Sequence, residues 1–493
     1  MKASGLLLGG LMLFVINTAQ SFDLEKGVVV CECSDYATAL AELRPLATQG
    51  NAEAQYKLGL MYDLGHGVPQ DYAQAVSWYR KSAAQGNARA QVNLGVMYNL
   101  GRGLPQDYAQ AVAWYRKSAA QGNATAQTDL GAMYAHGHGV QWDQVQAITW
   151  YRKAAAHGFA SAETDLGISY ATGLGVPKDY PTAVIWFRRG AAQGDAQAQN
   201  SLGVLYENGQ GLEQDFAEAA AWYGKAAEQG DVVAEYNLGG LYYIGHGVKQ
   251  DYAQAAAWYG KAAAQGYAQA QFNLGFLYEH GQGAAQDYAQ AAAWYGKASA
   301  QGDATAQSNL GFLYTHGRGV PQDYTQGIAW YRKAFAQGNA IAGNNLGVLY
   351  AQGQGVPQDY DQAIAYFTKA IALKPDDALS YRGRGQAYTH KALYDQAIAD
   401  YTKAIALDPG DAPAYNNRAW VYHEKGEDAQ GLPDAEKAVS LAPRDANTFG
   451  TRAMIFEKLG QRDKAISDYR TKLKLEPNDD YARDGLKRLG SAP

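Results

Sequence analysis

Cysteine, charge and long apolar runs are all scarce in this sequence. Only two of its 493 residues are cysteines, so a disulfide framework cannot organise the chain. Lys and Arg together number 42 against 48 Asp and Glu, a formal net charge of −6 that gives no basic surface for nucleic acid. No apolar run reaches the roughly 20 residues of a transmembrane helix. We therefore predict no nucleic-acid partner and no membrane span.

Residue patterns typical of catalysis are also missing. Most of the nine histidines stand singly between predicted helices, and His136-Gly137-His138 is the one local pair, whereas a zinc site needs three or four converging ligands. Gly-x-Gly words such as Gly209-Gln210-Gly211 are not followed by the Lys-Ser or Lys-Thr of a phosphate loop. We predict no metal, no cofactor and no enzymatic activity.

The N-terminus is typical of a secretory signal peptide. Lys2 precedes a short apolar core from Gly5 to Ile16, and Ala19 and Ser21 supply the small residues that favour cleavage before Phe22. This predicts a mature protein in the periplasm or outside the cell. A bridge between Cys31 and Cys33 would be strained, and whether the two are inert or have a redox or intermolecular role stays open.

The dominant feature of the sequence is a regular internal repeat. The pair Leu-Gly recurs nine times with every step equal to 36 residues, and Trp-Tyr keeps the same spacing. The Leu-Gly pairs begin at Leu58, Leu94, Leu130, Leu166, Leu202, Leu238, Leu274, Leu310 and Leu346. Nine pairs separated by eight identical steps predict nine copies of one structural unit.

One unit, residues 51–86, predicts two helices. Apolar residues at helical spacing indicate helix A from Ala52 to Asp63, and Gly65 suits the left-handed conformation that ends a helix. Asp71, with Gln74 three residues on, predicts a capping box that opens helix B. Gly59 costs about 1 kcal/mol inside helix A. We expect that it lets an aromatic ring or a neighbouring helix approach closely.

The period shortens to 34 residues towards the C-terminus, where Pro375, Pro409, Pro443 and Pro477 mark it. The predicted organisation has five parts: signal peptide 1–21, N-terminal segment and capping helix 22–50, nine 36-residue repeats 51–374, three 34-residue repeats 375–477, and capping helix 478–493. Paired helices of this size must stack on their neighbours to bury their apolar faces.

The 36-residue units resemble the Sel-one-like repeat through Leu58-Gly59, Gly65-x-Gly67, Asp71-Tyr72 and Trp78-Tyr79. Residues 376–477 resemble tetratricopeptide repeats. The resemblance implies an all-α fold, a right-handed α-α superhelical solenoid of both repeat types. It also implies a scaffold or adaptor that holds a protein or peptide segment in a concave groove, in envelope assembly, signalling or host interaction. The alternative is an envelope hydrolase or penicillin-interacting protein like the family's cysteine-rich branch, but this chain lacks the repeating cysteine pair.

In the geometry that the resemblance implies, helix A lines the groove, with the third, sixth, tenth and thirteenth residues of each unit exposed. The seventh residue is Asn237, Asn273, Asn309 and Asn345 in four successive units. Such amides can hold the backbone of an extended segment, or each can bond to the neighbouring helix. Nearby aromatic residues are candidate anchors: Tyr236, Tyr243, Phe272, Phe276 and Phe312.

Arg384, Arg418 and Arg452 recur 34 residues apart, and Asn416 lies beside the second. The position corresponds to a packing site in the family, so the first interpretation is an ion pair with a neighbouring helix. The second is a site at Arg384, Asn416 and Arg418 for an anionic peptide terminus. The oligomeric state is left open.

Overall fold

The computed structural model describes residues 36–492, and within this range every regular element is an α-helix. The predicted signal peptide, Cys31 and Cys33 lie outside the described residues. None of the described helices has the length and apolar character needed to cross a membrane. The 26 helices are α1 (Tyr36–Thr48), α2 (Ala52–Leu64), α3 (Tyr72–Ala84), α4 (Ala88–Leu100), α5 (Tyr108–Ala119), α6 (Ala124–His136), α7 (Gln144–Ala156), α8 (Ala160–Thr172), α9 (Tyr180–Ala192), α10 (Ala196–Asn208), α11 (Phe216–Glu228), α12 (Val232–Ile244), α13 (Tyr252–Ala264), α14 (Ala268–His280), α15 (Tyr288–Ala300), α16 (Ala304–His316), α17 (Tyr324–Ala336), α18 (Ala340–Gln352), α19 (Tyr360–Leu373), α20 (Ala378–His390), α21 (Tyr394–Leu407), α22 (Ala412–Glu424), α23 (Asp428–Leu441), α24 (Ala446–Lys458), α25 (Arg462–Leu475) and α26 (Asp480–Arg488).

The helices form pairs as the period predicts. The even-numbered helices from α2 to α24 are the A helices, and the odd-numbered helices from α3 to α25 are the B helices. Within residues 36–251 and within residues 268–492, the A helices pack on the helices that precede and follow them in the chain, an arrangement typical of a repeat solenoid. The chain divides within α13 into two compact units, residues 36–258 and residues 259–492.

Local signals explain where the helices of a 36-residue repeat begin and end. The Asn51 side chain accepts the Ala54 N–H at the start of α2, and Gly65 ends the helix in the left-handed conformation with φ 73°. Asp71 accepts the N–H groups of Ala73 and Gln74, which opens α3.

The capping box at Asp71 forms only in its first half. The Asp71 N–H donates to the Tyr62 carbonyl of the preceding helix at 2.9 Å, so it is not available to the Gln74 side chain. The same bond recurs in the later 36-residue repeats, for example from Asp107 to Tyr98 and from Asp215 to Tyr206. It fixes the loop between the two helices of the unit.

The glycine inside helix A allows the close approach that its position predicts. A Cβ on Gly59 would lie 2.6 Å from Cδ1 of Tyr79 on the paired B helix. Tyr79 is fully buried there. The steric explanation of the conserved spacing between Leu58-Gly59 and Trp78-Tyr79 is confirmed.

In residues 36–258, each apolar cluster combines the B helix of one repeat with the A helix of the next. One cluster joins Val76 and Tyr79 of α3 to Leu94 and Met97 of α4. Later clusters repeat this pattern with equivalent residues. The core is therefore continuous along the unit, as stacking requires.

The middle residue of the Gly-x-Gly loop adds a second contact between repeats in the same unit. The rings of His66, His138 and His246 lie 4.8, 4.6 and 4.7 Å from aromatic rings that begin the preceding B helix. Arg102 occupies the same place over the Tyr72 ring at 5.6 Å. These loop residues bind neighbouring repeats together.

Residues 259–492 begin with the same 36-residue pattern and change after α19. The B helices α21, α23 and α25 start without a side-chain cap, whereas Asp377, Asp411 and Asp445 cap the A helices beside them and Asp479 caps α26. The final helix α26 buries Ala482 and Leu486 against Tyr469 of α25. This last helix lies within the predicted capping segment 478–493.

Candidate functional site

The A helices form the candidate site, because their faces are continuous within each unit. Successive A helices contact one another directly at α8 and α10, and again along α18, α20, α22 and α24. The residues on these faces differ from repeat to repeat, while the contacts with the B helices are fixed.

The prediction that the sixth and thirteenth positions are exposed is wrong. Tyr56, Val92 and Thr128 at the sixth position are 5%, 2% and 4% exposed. At the thirteenth position, Asp63 is half-buried and Ala171 is fully buried. The next A helix covers these side chains, so much of their variation concerns packing between repeats.

A hydrogen-bond chain links the thirteenth position, the B-helix tyrosine and the seventh position of the next repeat. The Tyr79 hydroxyl donates to Asp63 Oδ2 at 3.0 Å, and Asn93 Nδ2 donates to the same hydroxyl at 3.1 Å. Tyr223 and Tyr295 likewise donate to Glu207 and Glu279, each at 2.6 Å. Burial and the neighbouring carboxylate raise the pKa of Tyr223 well above its ordinary value.

The predicted asparagines divide between these internal bonds and other environments. Asn309 and Asn345 lie beside the hydroxyls of Tyr295 and Tyr331, where each amide opposes the rise in the tyrosine's pKa; this position favours the alternative of contacts with the neighbouring helix. Asn237 donates to Asn200 Oδ1 at 3.2 Å. Nδ2 of Asn273 is buried and has no hydrogen-bond partner among residues 36–492.

The predicted aromatic anchors are half-buried on the A helices. In residues 259–492, the Phe276 and Phe312 rings each lie 4.0 Å from the ring of the histidine four residues later, and Phe272 lies 5.8 Å from Tyr295. In residues 36–258, Tyr236 stands on α12, and the Tyr243 ring lies 5.3 Å from Tyr252. Each presents only part of its surface to solvent, and a partner-binding role for all five stays a prediction.

The arginines of the 34-residue repeats are held in ion pairs. Arg384 donates from Nε and Nη2 to both carboxylate oxygens of Asp400, at 2.7 and 2.8 Å. Arg418 and Asp434 repeat this geometry at 2.6 and 2.8 Å. The first interpretation, an ion pair with the neighbouring helix, is confirmed. The geometry does not support Arg384 and Arg418 as a site for an anionic peptide terminus, because both guanidinium groups are already bidentate with Asp.

One concavity on the A helices lies in residues 36–258. A cavity of about 480 Å³ opens between α4 and α11 and is lined mainly by α6 and α8. Two acidic residues in it, Asp129 and Asp165, occupy the seventh position that holds Asn in five other repeats. Neither residue is among the predicted site residues, although the sequence shows the change from Asn to Asp at this fixed register.

Burial controls the electrostatics of this cavity. Desolvation, with a smaller contribution from the charge of Asp195, raises the pKa of Asp165 to about 7. Burial also raises the pKa of Asp195, although the Ala198 N–H opposes the shift. The charges of Asp165 and Asp129 raise the pKa of Tyr151 further above the effect of burial. Asp129 and Asp165 therefore both lie close enough to Tyr151 for their charges to act on its hydroxyl.

A second cavity of about 440 Å³ lies in residues 386–481. The predicted Asn416 lines it, and its Oδ1 is buried without a hydrogen-bond partner among the described residues. The one lysine in the lining, Lys472, is paired with Asp479 at 3.1 Å. The lining of the first cavity, by contrast, holds three Asp residues and no Lys or Arg.

Within residues 36–492 no three His, Cys, Asp or Glu side chains are grouped closely enough to hold an ion. His136 and His138 stack on each other with ring centroids 5.5 Å apart, and His138 stacks on Tyr108.

Similarities to known proteins agree with this architecture. The Sel1 repeat matches nine consecutive segments from 52–87 to 340–375, and the tetratricopeptide repeat matches residues 358–412, 400–432 and 446–479. A protective antigen present in uropathogenic Escherichia coli strains, which displays an SLR fold, is 35% identical with a TM-score of 0.63, covering 90% of each chain. A Sel1 repeat protein from Oxalobacter formigenes is 36% identical over 63% of this chain and 90% of its own, with a TM-score of 0.47. No match was found among curated proteins.

Proposed function

The chain belongs to the Sel1 repeat family, and from this membership we propose that it is a protein-binding scaffold whose A helices hold an extended segment of another protein. The observation that carries the proposal is the 480 Å³ cavity on α6 and α8, which is lined by residues that vary between repeats. A fixed set of B-helix contacts and a variable A-helix face suit recognition better than chemistry. Proteins built from such repeats are generally scaffolds without enzymatic activity.

The size and lining of the cavity favour a peptide segment. Its volume lies in the range of pockets that enclose a ligand of several residues. Met133 and Ile168 provide apolar wall, and Gln193 and Gln197 provide amides that can both donate and accept. This mixture suits a chain that offers backbone amides and side chains together.

The test uses two tryptophan substitutions at alanines of neighbouring helices. Ala132→Trp fills the cavity, whereas Ala113→Trp adds the same bulk on the exposed side of α5. The purified full chain and both variants are incubated with a panel of immobilised twelve-residue peptides of varied composition. We expect the wild type and Ala113→Trp to bind the same peptides and Ala132→Trp to lose them.

Circular dichroism of each variant verifies that the helices persist. Binding of no peptide by the folded wild type would contradict the proposal. So would equal binding by Ala132→Trp and the wild type, because the cavity would then have no part in recognition.

We further propose that the protein acts outside the cytoplasm, on the basis of the N-terminal segment. The similar Escherichia coli protein is a protective antigen, which supports an exported location. Mass spectrometry of the protein from periplasmic and secreted fractions should show Phe22 as the first residue. A chain that remains in the cytoplasm with Met1 or Lys2 at its start would contradict export. The hydrolase or penicillin-interacting alternative gains no support from the described residues or from the similar proteins.

A further inference from the structure

The cavity in residues 36–258 is acidic. Asp129, Asp165 and Asp195 line it, and the described lining contains no Lys or Arg. Asp129 is 7% exposed. Desolvation raises the pKa of Asp165 to about 7 and also raises the pKa of Asp195, because removing a charged carboxylate from water is costly. Negative charge in the cavity is therefore unfavourable by itself, and a bound cation would stabilise it.

A buried hydroxyl points to a ligand independently of these charges. Tyr115 lines the cavity, is 1% exposed, and its hydroxyl has no hydrogen-bond partner among residues 36–492. Asn99 lies beside this hydroxyl without a hydrogen bond of normal geometry. At the equivalent place in the preceding repeat, Tyr79 both donates and accepts. A buried hydroxyl without a hydrogen bond is unfavourable, so a group in the cavity that bonds to it gains affinity.

A second polar atom in the same wall is also unsatisfied. Ser161 Oγ, on α8, is buried without a hydrogen-bond partner among the described residues. Hydroxyl oxygens and carboxylates together offer acceptors on several sides of a group that carries many N–H donors. Ammonium and guanidinium groups are such donors.

The walls of the cavity also supply apolar surface, which the aliphatic part of a basic side chain needs. Leu100, Met133, Ile168 and Leu174 give apolar surface beside the acidic groups. A lysine or arginine side chain combines an aliphatic stem with a charged end, and it buries the stem on apolar surface while the end finds its partners.

We propose that the cavity lined by Tyr115, Asp129, Asp165 and Ile168 is the recognition site for a lysine or arginine side chain of a bound protein segment. The proposal rests on the scaffold function above and specifies the chemistry of its ligand. Asp165 and Asp129 pair with the cation, and Tyr115 and Ser161 accept its remaining N–H groups.

The probe is a labelled twelve-residue peptide of alternating Arg and Ala, compared with the same peptide in which citrulline replaces arginine. Citrulline keeps the shape of arginine and removes its charge. Fluorescence anisotropy with the full chain at physiological salt should show the arginine peptide binding at least about tenfold more tightly, since exposed charges are largely screened there.

Three variants locate the effect. Asp165→Asn and Asp129→Asn should each weaken binding of the arginine peptide by about tenfold, in the range for a desolvated ion pair. Glu218→Gln removes the same charge from an exposed position on the B helix α11 and should leave the affinity unchanged. The helical circular dichroism signal should persist in all three.

Equal losses in Glu218→Gln and Asp165→Asn would overturn the proposal, because net charge alone would then explain binding. Equal affinity for the citrulline peptide would overturn it as well. Spermidine that displaces the peptide at a lower concentration than the peptide itself requires would assign the cavity to a free polyamine instead. If neutral peptides from the panel bind in a manner sensitive to Ala132→Trp but not to Asp165→Asn, the scaffold function stands and this inference fails.

Discussion

The 36-residue and 34-residue repeats place different chemistry at the same point of the helix pair. In the first repeat Leu58 of α2 packs with Trp78 of α3, an apolar contact. The equivalent residues of the first 34-residue repeat are Arg384 and Asp400, which form a bidentate ion pair. Beside each pair stands the same glycine and tyrosine: a Cβ on Gly59 would lie 2.6 Å from Tyr79, and one on Gly385 would lie 3.0 Å from Tyr401.

This difference shows which part of the repeat carries the geometry. The close approach of glycine and tyrosine sets the distance between the two helices, and the neighbouring pair fills whatever space remains. Acids at other positions follow the same division: Asp400 has an arginine beside it, whereas the half-buried Asp165 in the 36-residue repeats shares its cavity with further acids. The first arrangement satisfies the acid within the repeat, and the second is the one that we propose for binding.

Breaking an ion pair should have the largest effect. Asp434→Ala leaves the Arg418 guanidinium, 17% exposed, without its partner, and we expect a loss of about 3–5 kcal/mol in the stability of α22 and α23. Hydrogen exchange of these helices measures the loss. The matched control is Asp395→Ala, which removes a carboxylate 87% exposed from its pair with Lys425 and should change little. Equal effects would show that burial does not govern these pairs.

Replacing Asp165 should raise the stability of the folded state rather than lower it, and the size of this effect should depend on pH. The pKa of Asp165 is about 7 when folded and about 3.9 when unfolded, so between these values the folded state holds a proton that the unfolded state has lost. The contribution of Asp165 to stability therefore falls as pH rises from 4 to 7 and then levels off. Relative to the wild type, Asp165→Asn should gain roughly 2–4 kcal/mol between pH 4.5 and pH 8.

Urea unfolding followed by circular dichroism at both pH values measures that gain. Asp400→Asn should instead lower stability, because it removes the acceptor of Arg384. A gain for Asp165→Asn that is the same at pH 4.5 and pH 8 would contradict the assignment of the titrating group.

Alanine substitutions at two glycines of the helix pair α10 and α11 distinguish the effect of close packing from the effect of helix propensity. A Cβ on Gly203 would lie 2.7 Å from Cδ1 of Tyr223, so Gly203→Ala should destabilise by about 1–3 kcal/mol through overpacking. Gly224 of α11 has no atom within 4 Å of its added Cβ, and Gly224→Ala should stabilise by about 1 kcal/mol. Shifts of the urea midpoint in the same direction for both would refute the close-approach explanation.

Substitutions of the residue that precedes a B helix should give the smallest difference in stability between the two repeat types. Asp215 accepts the N–H groups of Ala217 and Glu218 at 2.9 and 3.0 Å, so Asp215→Ala should cost about 1 kcal/mol in the protection of α11. Gln461 precedes α25 without a side-chain cap bond, and Gln461→Ala should leave α25 unchanged. A loss at both positions would show that the caps are not what distinguishes the two repeat types.

Local patterns in the sequence were sufficient for the helices and loops, as Asp71, Gly65 and Gly59 show. Each of these residues acts through its own backbone or through a partner in the same unit, so the sequence of a single repeat is enough to infer its role. The partner of Arg384 was also within reach, because Asp400 lies in the paired helix. What failed was the exposure of the sixth and thirteenth positions, where a different repeat decides the burial.

By itself, then, the sequence determined the period, the pairing of helices and the residues that start and stop them, because these depend on contacts within about 36 residues of chain. Only the tertiary structure decided that Asn93 bonds to Tyr79, that Tyr115 lacks such a bond, and that Asp129 and Asp165 line one cavity. The physical reason is that stacking, not the individual repeat, sets which side chains lose their water and which polar atoms find partners.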